Sequence, residues 1–91
     1  MKEIRILLRT KIIRLMREKE HTFFSVQKVD IKKEWGSPVA FGVLMRIASF
    51  KMENYIPTPR STKLLLTFFN IPFIEIDGGI ELVEDANDNN N

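Results

Sequence analysis

Residues 38–53 contain few polar side chains, and a small protein can accommodate such a segment only in its interior. Ser37 and Pro38 are a typical N-cap and first helical residue, so the segment is predicted to be a helix. Helical spacing places Gly42, Arg46, Ser49 and Glu53 in one narrow stripe. Lys51 falls off that stripe, but it sits in the last turn, where its stem can reach solvent. We expect this helix to lie at the centre of one modest hydrophobic core, the most that 91 residues can bury.

Residues 3–19 are predicted to form another helix, since Ile4, Leu8 and Leu15 share one helical face. Ile6 and Ile13 lie away from this face, where they would meet another helix of the fold or a second subunit. The partial alternation of residues 4–8 also fits a strand, although helix is preferred. Residues 26–35 are predicted to be a short basic helix ending at Gly36, which suits the left-handed cap position.

The C-terminal part is predicted to end in a β-hairpin. Residues 54–60 form a linker, and residues 63–69 follow as either a helix or a buried strand, capped by Ser61 or Thr62 and stopped by Asn70 and Pro72. Residues 73–76 and 80–83 are the predicted strands. A three-residue loop at 77–79 would place Glu75 opposite Glu81 and put the apolar side chains on one face, namely Ile74, Ile76, Ile80 and Leu82.

The charges are distributed unevenly along the chain. All 14 Lys and Arg lie within residues 2–63 against six acidic residues, a formal charge of +8. Residues 64–91 contain six acidic residues and no Lys or Arg, a formal charge of −6. Either the acidic end neutralises the basic part within the fold, or the basic face binds nucleic acid or an acidic protein.

The residue inventory argues against catalysis. The chain has no cysteine, which excludes disulfides, zinc thiolate sites and thiol nucleophiles. Its one histidine, His21, lies among β-prone residues without a nucleophile elbow, and no phosphate-binding glycine loop is present. Glu75, Asp77 and Glu81 are better explained as solvated acids than as metal ligands. We therefore expect no enzyme activity, no cofactor and no metal.

The same inventory bounds location and domain number. No apolar run reaches the roughly 18 residues of a membrane span, and no signal peptide is recognisable, so we expect a cytoplasmic protein without membrane contact. Residues 1–84 are predicted to form a single domain, and residues 85–91 a disordered acidic, Asn-rich tail.

The order of elements over about residues 3–84 resembles the winged helix-turn-helix superfamily. The resemblance implies a small α+β fold of three or four helices with a C-terminal hairpin. It also implies that the helix from Pro38 occupies the recognition-helix position and that residues 77–79 form the wing tip. Such folds occur in DNA-binding regulators and as protein-docking modules of replication and transcription complexes.

Two departures from this family argue against base-specific recognition of DNA. The helix from Pro38 begins with apolar side chains, and Arg46 is its one evident candidate for a base edge. The wing carries acids, which phosphates repel. We therefore predict non-specific backbone contact through the lysines and arginines outside that helix, namely Lys28, Lys32, Lys33, Arg60 and Lys63.

A local resemblance concerns residues 62–69. Leu65, Phe68 and Phe69 are similar to the sliding-clamp-binding box, with Thr62 in place of its glutamine. A buried apolar segment has the same pattern and is the preferred interpretation.

The leading hypothesis is a non-enzymatic accessory protein of a DNA-handling complex that docks to a protein partner and contacts the DNA backbone. The candidate protein-binding residues are Ile6, Ile13, Glu75, Asp77 and Glu81. The alternatives are a sequence-specific regulator that dimerises through Ile6 and Ile13, and a pure adaptor such as a polymerase- or clamp-binding subunit.

Overall fold

The computed structural model describes residues 2–83, with the side chains of residues 3–83. Four helices precede an antiparallel hairpin: α1 Lys2–Glu18, α2 Ile31–Glu34, α3 Phe41–Ala48, α4 Pro59–Phe68, β1 Phe73–Ile76 and β2 Gly79–Leu82. The predicted α+β class with a C-terminal hairpin is confirmed. The tail predicted for residues 85–91 lies outside the described residues.

The first helix, α1, buries Ile4, Leu8, Ile12 and Met16, which recur every four residues along one face. This spacing is the helical one, so the alternative of a strand at residues 4–8 is wrong. The buried face of α1 packs mainly against α3.

The predicted basic helix over residues 26–35 is divided into a 3-10 turn, Val26–Lys28, and the four-residue helix α2. Asp30 separates them, because its backbone is extended and its side chain accepts a hydrogen bond from the Lys33 amide at 3.4 Å. Gly36 follows α2 with φ +69°, the left-handed conformation that was predicted for it.

The central helix is shorter than predicted, because α3 covers Phe41–Ala48 rather than residues 38–53. Ser37 does not cap it: the Ser37 hydroxyl donates to the Val39 carbonyl at 2.7 Å and accepts from the Val39 amide at 3.2 Å. Beyond Ala48 the backbone extends at Ser49 and then forms a 3-10 turn, Phe50–Met52. Leu44 and Ile47 are buried, so the predicted position of this helix in the core is confirmed.

Residues 63–68 are helical and Phe69 is the C-cap, so helix rather than strand is the correct one of the two predicted conformations. Helix α4 begins at Pro59, and its N-cap is Thr58 rather than Ser61 or Thr62, since the Thr58 hydroxyl accepts from the Ser61 amide at 3.2 Å. The helix ends at Phe68, before the predicted stop at Asn70, and Asn70 has the left-handed φ of +58°.

The predicted register of the hairpin is wrong. Residues 77 and 78 form a two-residue loop, so Ile76 pairs with Gly79 and Ile74 pairs with Glu81. Gly78 has φ +94°, a conformation that glycine adopts without steric cost and that lets the turn close one residue earlier. The face packed against the core consists of Phe73, Ile80 and Leu82. Ile74 and Ile76 are 49% and 46% exposed on the outer face.

A single hydrophobic cluster unites α1, α2, α3 and α4, and the hairpin packs on it next to α4. Over residues 2–83, none of the helices combines the length and the apolar character that crossing a bilayer requires.

Candidate functional site

The basic residues predicted to contact DNA lie on several elements. Lys28 belongs to the first 3-10 turn, Lys32 and Lys33 belong to α2, and all three are exposed. Arg60 is exposed in the first turn of α4. Lys63, one turn further on, has its Nζ atom 3.0 Å from Glu75 Oε1. Among the side chains of residues 3–83 this is the one ion pair, so Lys28, Lys32, Lys33 and Arg60 form none with a carboxylate of those residues.

Arg46 lies on the exposed side of α3, with its guanidinium carbon 5.9 Å from the centre of the Tyr55 ring. It lies beyond the middle of the helix rather than in its first turn, where the side chains are apolar.

The residues predicted to bind protein lie on two elements, α1 and the hairpin. Ile13 is half-buried and packs against the core, whereas Ile6 is 51% exposed. The two isoleucines therefore do not form the exposed pair that a dimer through both would use. Glu75, Asp77 and Glu81 are exposed on the hairpin, where Glu75 is engaged with Lys63.

The stretch that is similar to a clamp-binding box lies in α4. Thr62 and Leu65 are completely buried, and the Thr62 hydroxyl donates to the Thr58 carbonyl at 2.9 Å. A box read by a partner needs these side chains to be accessible. The pattern is thus part of the core, as the preferred interpretation predicted.

Two arginines of α1 hold the end of α3, a role that the sequence did not indicate. Arg5 is only 7% exposed, and its Nη2 atom donates to the carbonyls of Ser49 at 3.2 Å and of Met52 at 2.7 Å. Arg9 Nε donates to the Ala48 carbonyl at 3.1 Å. Cations are favourable at a helix C-terminus, where carbonyl groups lack intrahelical partners. These bonds fix the backbone on both sides of Phe50.

Phe50 is the most unusual side chain in this region. It is 76% exposed, although it belongs to the apolar segment that the sequence placed in the core. The guanidinium carbon of Arg9 lies 3.7 Å from the ring centre, a distance typical of a cation–π contact. The ring is therefore supported from beneath and open to solvent.

Phe50 lines one of two shallow grooves that share Ser49. One, of about 290 Å³, is lined by Arg5, Ile6, Arg9, Ser49, Phe50, Glu53 and Asn54. The other, of about 300 Å³, is lined by Phe23, Gln27, Phe41, Met45, Arg46, Ser49 and Met52. Ser49 lines both grooves, so they adjoin at this residue, and we call their combined lining the Phe50 surface. Its exposed apolar side chains are Ile6, Phe23, Phe50 and Met52.

The features that would indicate chemistry are few. In the described part of the chain, no three His, Cys, Asp or Glu residues lie close enough to hold a metal ion. The His21 ring packs at 5.6 Å from the ring of Trp35, a core residue. This contact gives His21 a packing role at the junction of α1 and α2. The absence of enzyme activity stays a prediction.

No protein-family model matches the sequence, and no match was found among curated proteins or among solved structures. The function is therefore inferred from the side chains of the molecule itself.

Proposed function

We propose that this protein is a non-enzymatic accessory component of a DNA-handling complex, acting in replication or transcription. In this proposal its basic side chains contact the phosphate backbone without sequence preference, and its acidic hairpin faces a protein partner. A cytoplasmic location is part of the proposal, since a chain without cysteine shows no adaptation to an oxidising compartment.

The observation that carries the proposal is the group of exposed lysines around α2. Lys28, Lys32 and Lys33 lie within six residues, and within the described chain none of their ammonium groups forms an ion pair. Two acids lie near them: Asp30 accepts a hydrogen bond from the Lys33 backbone amide, and Glu34 is exposed at the end of α2. Uncompensated cations that are close together release counterions when they meet phosphates, which is the main source of non-specific DNA affinity.

A winged-helix arrangement is supported by the order of elements, with one change. The helix that leads directly into the hairpin is α4 rather than α3. In this arrangement the recognition position passes to α4, where the exposed or half-exposed cations are Arg60 and Lys63. Two cations without amide side chains beside them suit phosphate contact better than base reading.

The hairpin suits a protein partner better than DNA. Asp77 and Glu81 are exposed on it and would repel phosphates. Ile74 and Ile76 lie beside them on the outer face, and exposed apolar side chains rimmed by charge are typical of protein-binding surfaces. This observation also favours the second candidate function, a protein adaptor without any DNA contact.

The test is the salt dependence of DNA binding, measured by the fluorescence anisotropy of a labelled duplex. We expect affinity to fall steeply between about 50 and about 200 mM salt. Replacing Lys28, Lys32 and Lys33 by alanine should lower the slope of log affinity against log salt by about three, or about one per lost phosphate contact.

The matched control removes the same charge from the C-terminal end of α1 and the turn after it, by replacing the exposed residues Arg14, Arg17 and Lys19 with alanine. This variant should keep most of the slope. Equal losses in the two triple variants would show that net charge alone acts, and would refute the assignment to α2. Undetectable binding at low salt, or affinity indifferent to salt, would refute DNA contact and leave the adaptor as the surviving candidate. Affinity that differs strongly between duplex sequences would favour the sequence-specific regulator instead.

A further inference from the structure

We propose that the Phe50 surface binds single-stranded nucleic acid, with unpaired bases stacked on Phe50 and Phe23 and phosphates held by the cations beside them. The inference rests on the proposed function. It names the ligand class of the Phe50 surface, which does not include the lysines around α2.

Phe50 is held in place before any ligand arrives. Arg9 contacts the ring from below and is itself bonded to the Ala48 carbonyl. Arg5 holds the carbonyls of Ser49 and Met52, which flank the ring in the chain. A side chain that is already ordered loses little conformational entropy on binding. A supported ring with 76% of its surface exposed is thus a ready stacking partner for a base.

The side chains around the rings are mainly cationic. Arg46 lines the groove next to Phe23, and the exposed Lys51 follows Phe50 in the same turn. Of the described residues that line the two grooves, Glu53 is the one acid. Cations beside exposed rings are the combination with which proteins bind single strands, because the rings take the bases and the cations take the phosphates.

The exposed rings favour a single strand over the other ligands that this surface could bind. In a duplex the bases are stacked on each other and offer no face to Phe50, so the ring discriminates in favour of unpaired bases. An apolar peptide would use the apolar area of the surface and would leave Arg46 and Lys51 without an anionic partner. A single strand satisfies both the rings and the cations.

The experiment compares a fluorescent oligothymidylate with a duplex, using the whole chain and the variant Phe50→Leu. Leucine keeps an apolar side chain but cannot stack, so we expect roughly tenfold weaker binding of the oligothymidylate. Duplex affinity should change by less than about twofold. The matched control is Ile56→Ala, which removes an apolar side chain that is 66% exposed and lies outside both groove linings, and both affinities should be unchanged.

A second variant, Phe50→Trp, reports on the ring itself. Stacking on a base should quench the fluorescence of the new indole on titration with oligothymidylate, whereas Trp35 is buried and provides a constant background. Absence of quenching at saturation would contradict the proposed contact even if binding occurred.

The outcomes separate this inference from the proposed function. An unchanged affinity of Phe50→Leu for oligothymidylate, or equal losses on single strand and duplex, would overturn the stacking proposal while leaving salt-dependent duplex binding intact. A dimer that dissociates in the Phe50→Leu variant, without single-strand binding, would assign the surface to a second copy. If the unmodified protein bound neither the single strand nor the duplex, both proposals would be refuted together.

Discussion

Replacing Arg5 by methionine should destabilise the protein strongly, although an arginine on a surface helix is usually dispensable. The substitution keeps an unbranched apolar stem but removes both hydrogen bonds from Nη2 to the carbonyls of Ser49 and Met52. These bonds join α1 to a segment 44 and 47 residues away in the chain. They hold the turn that carries Phe50, so their loss should also loosen that turn.

The magnitude follows from the surroundings of the two bonds. A hydrogen bond that involves a charged group contributes about 1.5–3 kcal/mol. Both bonds are partly buried, so water can replace part of the lost bonding and lower its cost. Arg5 itself is 7% exposed, and little water reaches the rest of the site. We therefore expect a loss of about 2–3 kcal/mol in the free energy of unfolding. In a domain of this size that loss lowers Tm by roughly 10–20 °C.

Urea unfolding followed by far-UV circular dichroism measures this loss, with Arg14→Met as the control. Arg14 is exposed on the same helix, and its replacement should change stability by less than about 0.5 kcal/mol. Arg5→Lys should be intermediate, because one ammonium group replaces only part of the guanidinium's bonding. A loss below about 1 kcal/mol for Arg5→Met, or one equal to the Arg14 control, would show that Arg5 does not anchor the turn.

Two further predictions test the core and the backbone, both by urea unfolding. Leu44 is 1% exposed, so Leu44→Ala should cost about 2–5 kcal/mol, and near-neutral behaviour would contradict its position in the core. Gly42→Ala in α3 should stabilise by about 0.5–1 kcal/mol, since an added methyl group meets no atom within 4 Å. Gly36→Ala, equally free of clashes, should instead cost about 1 kcal/mol because its φ is +69°; effects of the same sign at both glycines would refute this reasoning.

The features predicted correctly from the sequence depend on residues close together in the chain. The helix at the N-terminus follows from apolar residues spaced within one or two turns. The left-handed conformation at residue 36 follows from glycine itself, which adopts it freely. The hairpin follows from glycines between two apolar runs. The position of Leu44 in the core likewise follows from a local surplus of apolar neighbours. In each case the controlling contacts lie within a few residues.

The features predicted wrongly depend on contacts between distant residues. Helix α3 ends at Ala48 rather than near residue 53, and the carbonyls beyond its end are held by Arg5 and Arg9, two arginines that local patterns place on a polar face. The register of the hairpin depends on which face packs against the core next to α4, and the prediction grouped Ile74 with Ile80 because it assumed that all isoleucines face inwards.

The Phe50 surface shows the same division between local and distant causes. From the sequence, Phe50 belongs to an apolar segment and is expected in the core, since hydrophobicity measures a tendency to be buried but not the space available. In the folded chain, α1 and the buried side chains of α3 fill that space, and Phe50 lies outside on the guanidinium of Arg9. Short-range spacing therefore determined which segments are helices and strands. Packing between α1, α3 and the hairpin decided which of their apolar side chains are left exposed to bind a partner.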